Sequence, residues 1–157
     1  MERKPITTKG YKKLQEELSQ LIKVERPKII NDISTARAHG DLKENAEYHA
    51  AKERQGFIEG RIQHLNHVLA NSEIIEVAKV KAEDIRFGAT VTYEDVDSGD
   101  QAVWKIVGEE ESDVNAREIS IMSPIARSLL GKEVGDEVII RVPKGQIEVE
   151  IISIVYK

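Results

Sequence analysis

Cysteine is absent from this chain of 157 residues, which rules out a disulfide framework and a cysteine-based zinc site and fits a reducing compartment. Long apolar runs are missing too. None approaches the ~18 residues of a membrane span, and the opening Met-Glu-Arg-Lys-Pro-Ile-Thr-Thr has no apolar signal core. A cytosolic protein without a membrane partner is the expectation. Aromatic residues are scarce, at 4% with one tryptophan, so the second half has little from which to line a proline-binding pocket. There is no overall positive excess either: the net charge is −5 and its distribution is uneven. Residues 1–75 carry 13 Lys/Arg against 11 Asp/Glu, whereas residues 76–157 carry 10 against 17. The acidic half is a poor binder of phosphate backbones, while the mixed half can approach nucleic acid locally.

What is present begins with helical periodicity. From Thr8, apolar residues fall at Tyr11, Leu14, Leu18, Leu21 and Ile22, then at Ile29, Ile30, Ile33 and Ala36, marking one face of a helix. Thr8 is the expected N-cap, and Pro27 predicts a kink rather than an end, because the stripe resumes beyond it. A second stripe runs Tyr48, Ala51, Gln55, Ile58, Ile62, Leu65 and Leu69. Its steps of three and four are the period-3.5 seam of a coiled coil. Gly56 and Gly60 lower its intrinsic helicity by about 1 kcal/mol each relative to Ala, so the helix needs a partner. The short turn between the stripes makes that partner the first arm, running antiparallel.

Residues 1–75 are therefore expected to form an antiparallel two-helix coiled coil, about 45 Å long at ~1.5 Å per residue, with an acidic tip near 39–45. Polar outer faces predict a rod standing in solvent; a dimerisation element or half of a four-helix bundle is the other use of such a hairpin.

Beyond Asn71-Ser72 the pattern changes. Short β-rich runs at 74–77, 87–94, 101–108, 118–122, 138–142 and 146–155 alternate with turns such as Asp97-Ser98-Gly99-Asp100 and Pro143-Lys144-Gly145. Glu109-Glu110-Glu111-Ser112-Asp113 reads as a solvated acidic loop. Ser123-Pro124-Ile125-Ala126-Arg127-Ser128-Leu129-Leu130-Gly131 has the form of one compact helix, with Ser123 as cap, Pro124 at the first helical position and Gly131 as the left-handed stop. Residues 76–157 are thus expected to be an antiparallel sheet with one short helix, an α+β domain.

The tip holds the chemistry. On spacing, Asp41 can cap the second arm with Glu44 reaching back from the third helical position, after Gly40 has ended the first arm. Alternatively, the two carboxylates are metal ligands or acid/base groups shown at an exposed point. Two carboxylates would hold Mg2+ weakly without a substrate's phosphates, and a bare tip offers no enclosed pocket. A carboxylate pair on a rod makes sense if another protein's cavity completes the site. His39 and His49 lack the i, i+4 spacing of a zinc helix, and His64 and His67 read as solvent-facing. Arg37, Lys43, Lys52 and Arg54 place positive charge nearby, which salt-bridged helix surface would also explain.

Residues 36–51, Gly56-Phe57-Ile58-Glu59-Gly60-Arg61-Ile62 and residues 123–132 closely resemble the bacterial Gre transcript cleavage factors, nearly end to end and in the same order. The few Lys/Arg after the tip match the less basic of the two Gre types. The resemblance implies an FKBP-like C-terminal domain that docks on the rim of the secondary channel of bacterial RNA polymerase, with the coiled coil threaded inward. Asp41 and Glu44 would then be the catalytic acids. They would hold a Mg2+ ion jointly with polymerase ligands, not stably in the free protein, and position the attacking water. The polymerase would cleave the 3′ end of backtracked nascent RNA, so this chain would be an accessory factor rather than an enzyme, bound as a monomer. By the same resemblance Arg37, Lys43 and Lys52 would lie near the RNA, and Ser123, Pro124, Ile125 and Arg127 would meet the polymerase. The rival readings are an inhibitory homologue that plugs the channel, a prolyl isomerase with a coiled-coil arm, and a free-standing metal nuclease.

Overall fold

The structure is a computed structural model that describes residues 3–157; Met1 and Glu2, part of the opening stretch read for a targeting signal, lie outside the described residues. The described residues divide into two units: Tyr11–Asn71 is one, and residues 3–10 together with Ser72–Lys157 form the other. No helix among the described residues is long and apolar enough to cross a membrane.

The first arm consists of α1 (Thr8–Gln20), a π-helical segment (Leu21–Glu25) and α2 (Arg26–Arg37). Its cap lies one residue earlier than the sequence suggested: the Gly10 amide donates to the Thr7 hydroxyl oxygen at 3.0 Å, so Thr7, not Thr8, closes the helix start. The arm does not end at Pro27. The turn before it widens to π spacing, the Arg26 amide donating to the Leu21 carbonyl, and Pro27 then takes a first-turn position of α2, where it has no donor to lose.

The second arm is α3 (Ala46–Ala70). All seven residues of its predicted seam are buried or half-buried, with Ala51, Ile62 and Leu65 buried outright. On the first arm Leu14, Ile29 and Ala36 are buried, but Ile22 and Ile30 are exposed. A single partner helix covers a narrower stripe than the full set of apolar positions, so those two fall off its edge. Bidentate ion pairs flank the seam, Arg61 on Glu17 at 2.6 and 3.0 Å and Arg26 on Glu59 at 2.7 and 2.9 Å.

In the other unit, β1 (Lys4–Thr7) pairs in parallel with β2 (Ser72–Ile75). The main sheet contains β3 (Ala89–Asp95), β4 (Gln101–Val107), β5 (Glu118–Ser120), β6 (Glu137–Val142) and β7 (Gly145–Tyr156) in the order β5-β4-β3-β7-β6. The sheet is mixed, not purely antiparallel as expected: β4 and β5 run parallel, Lys105 opposite Glu118. The chain between them turns through a short 3-10 helix (Val114–Ala116) and the left-handed Arg117, which lets so short a connection reverse direction twice.

The core lies between this sheet and α4 (Pro124–Leu129). Val91, Ile106, Ile140, Val149 and Ile151 meet Ala126 and Leu129. α4 follows its sequence signature, with the Ala126 amide donating to the Ser123 hydroxyl oxygen at 3.2 Å and Gly131 at φ 81. The acidic loop is solvated as read at Glu109, Glu110, Ser112 and Asp113, but Glu111 is half-buried, and its carboxylate accepts from the amides of Thr7 and Gly108 at 2.8 and 2.9 Å.

Candidate functional site

The tip is built from two helix ends that meet. α2 finishes at Arg37, with the amides of Ala38 and His39 donating to the carbonyls of Thr35 and Ala36 at 3.2 and 3.1 Å. Gly40, at φ 131, then turns the chain where a side chain would strain it. α3 starts at Ala46, and its cap is Asn45: the Tyr48 amide donates to Asn45 Oδ1 at 3.1 Å. This overturns the assignment of Asp41 as cap with Glu44 reaching back. The helix begins four residues later than that box requires, so Glu44 precedes the first turn instead of lying in it.

Asp41 serves the loop alone, its Oδ1 accepting from the Lys43 amide at 3.0 Å. The Lys43 carbonyl lies 3.3 Å from His49 Nε2, whose ring stands edge-on to Tyr48. Asp41 and Glu44 are both exposed and line one open concavity with His39, Asn45, Ala46 and Glu47. No group of three or more His, Cys, Asp or Glu side chains is arranged to hold a metal among the described residues. What the tip offers a hard cation is therefore part of a shell of carboxylate oxygens, with one Asp41 oxygen already engaged.

The basic residues lie around this concavity without lining it. Arg37 is the exposed last residue of α2, Lys43 sits in the loop between the two acids, and Lys52 is exposed on α3, where its Nζ donates to Gln55 Oε1 at 3.2 Å. Arg54 pairs across the arms with Asp32 at 3.4 Å. In the other unit, Pro124 and Arg127 are exposed beside an exposed Met122, Ser123 is occupied as the α4 cap, and Ile125 packs partly against the core.

Sequence reasoning missed Asn45 and the His49 contact. The available sign was that Asn caps helices as well as Asp, and Asn45 stands directly before a residue run that is helical in period.

The chain thus combines a polar-tipped helical hairpin with a mixed-sheet α+β unit. Residues 4–74 match the family model described as "Transcription elongation factor, N-terminal", and residues 80–156 match "Transcription elongation factor, GreA/GreB, C-term". Transcription elongation factor GreA of Hyphomonas neptunium is 56% identical over 157 residues, covering 100% of both chains. GreA of Anaeromyxobacter sp. is 52% identical, covering 99% of this chain and 94% of its own. The solved GreA factor homolog 1 (Gfh1) of Thermus thermophilus aligns over 98% of this chain and 99% of its own at 26% identity, with a TM-score of 0.45. The chain belongs to the GreA/GreB family of transcription elongation factors.

Proposed function

We propose that this elongation factor acts in the bacterial cytoplasm on RNA polymerase, entering the secondary channel hairpin first and stimulating the polymerase's own cleavage of backtracked RNA. The observation that carries this is the state of the acid pair. Asp41 and Glu44 are exposed in one concavity, and neither is consumed as a helix cap because Asn45 has that task.

Asp41 and Glu44 would hold Mg2+ together with ligands from the polymerase; the bound ion would polarise the scissile phosphate and lower the pKa of the attacking water. Their hard oxygens suit that ion, and an incomplete protein shell suits an ion shared between two proteins. Lys43, Arg37 and Lys52 would meet the extruded 3′ segment of the RNA, where positive charge favours phosphate. Exposed Pro124 and Arg127, with Ser123 and Ile125 behind them, would form the docking contact on the channel rim. The chain would supply carboxylates and positioning in trans, bound as one copy.

The test adds the protein to stalled, backtracked elongation complexes with Mg2+. RNA shortened from its 3′ end, and no shortening with Asp41→Ala, is the expected result. Failure to shorten RNA, or an equally active Asp41→Ala, would overturn the mechanism. Cleavage of free RNA without polymerase would show a nuclease instead.

A further inference from the structure

We propose that Asn45 is the positioning residue of the tip, one side chain that closes the loop carrying Asp41 and Glu44 without touching metal or RNA. The proposal rests on the reading of those two acids as the working groups.

Two helix ends converge here, and each leaves backbone groups without an intrahelical partner: carbonyls at the end of α2, amides at the start of α3. Asn45 serves one of each. Its Oδ1 accepts from the Tyr48 amide at 3.1 Å, and its Nδ2 donates to the Ala36 carbonyl nine residues back. The orientation of the side-chain amide is dictated by its partners, since a backbone N–H requires the oxygen and a carbonyl requires the NH2. The Ala36 carbonyl also accepts from the His39 amide at 3.1 Å, so the bridge lands on the last ordered turn before the loop.

Within the loop thus closed, the backbone of Lys43 is held at both of its peptide groups, its amide by Asp41 Oδ1 and its carbonyl by His49. Asp41 lies two residues before Lys43 and Glu44 directly after it. Fixing the base of the loop therefore fixes the backbone from which both acids project. No other side chain of this length does both tasks. Asp lacks the donor, Gln carries an extra methylene, and Ser or Thr can cap but are too short to reach Ala36 as well.

The discriminating variant is Asn45→Ser, which keeps the cap and loses the bridge without adding charge; Asn45→Ala loses both. Full-length proteins are titrated against backtracked elongation complexes, with the factor-free cleavage rate subtracted. The expected result for Asn45→Ser is a maximal cleavage rate lowered about ten- to a hundredfold, the scale of a misplaced catalytic group, at an unchanged half-saturating concentration, with Asn45→Ala at least as low. A wild-type maximal rate in Asn45→Ser, or a loss seen only as weaker half-saturation, overturns the proposal. Backbone 15N relaxation of the free proteins reads the same point without polymerase. Residues 38–44 should become more mobile in Asn45→Ser while the far-ultraviolet circular dichroism is unchanged. An equally ordered tip in that variant overturns the proposal whatever the cleavage assay shows. An inactive wild-type protein whose tip nonetheless loosens in Asn45→Ser would instead count against the cleavage function.

Discussion

Glu111 and Thr7, separated by 104 positions, are joined twice: the Glu111 carboxylate accepts from the Thr7 amide at 2.8 Å and from the Thr7 hydroxyl. Its Oε2 also accepts from the Gly108 amide at 2.9 Å, and the Thr7 hydroxyl oxygen in turn caps α1 through Gly10. One carboxylate thus ties β1, the loop after β4 and the start of α1 into one hydrogen-bonded cluster. Thr7 is buried, so its donors have no water to fall back on. Glu111→Ala should cost roughly 2–3 kcal/mol, measured by chemical denaturation. Gly108→Ala should also destabilise, since its Cβ would come within 2.7 Å of the Pro5 carbonyl oxygen.

Acid should loosen the hairpin. A hydrogen bond from Arg61 holds the Glu17 carboxyl below its ordinary 4.5, and one from Arg26 does the same for Glu59. A carboxyl with a lowered folded pKa adds stability above its unfolded pKa and loses it as the pH falls through the folded value. The melting temperature followed by circular dichroism should therefore be level near neutrality and fall below about pH 4.5, the unfolded value. Both pairs are partly exposed, so added salt should shrink the effect.

Gly56→Ala and Gly60→Ala should each stabilise the protein by roughly 0.5–1 kcal/mol. A Cβ added at either position of α3 meets nothing within 4 Å, so the helix gains propensity without a clash. Denaturant midpoints of the single and double variants check this.

Leu65→Ala should do the opposite. Leu65 is 0% exposed within the helical seam, and truncating such a side chain costs about 2–5 kcal/mol. By contrast, Asp41→Asn should leave the melting temperature unchanged, because this exposed residue makes only a loop hydrogen bond, while abolishing stimulated RNA cleavage. Measuring both quantities on one preparation separates the acid's functional role from any structural one.

Particular elements show how far the sequence could be read. The α3 seam was legible because burial in a two-helix pair follows a period of 3.5, and period is a local property of the chain. The Ser123-Pro124 start of α4 and its Gly131 stop were legible for the same reason: cap and breaker act within a few residues. Motif likeness then placed Asp41 and Glu44 together, and the structure adds that both line one open concavity.

Other features depend on partners remote in sequence. Glu111 looks like any exposed acid until β1 is beside it, and a parallel β4–β5 pair leaves no mark that separates it from an antiparallel one in strands this short. At the tip, Asp41 and Asn45 are both good caps on paper, and only the folded hairpin chooses. The sequence by itself determined the two arms, the short helix and the identity of the acids, because each follows from local periodicity or motif. The tertiary structure decided that Asn45 is the cap, because only the folded chain brings the Ala36 carbonyl within reach of its amide and leaves Asp41 and Glu44 outside the helix.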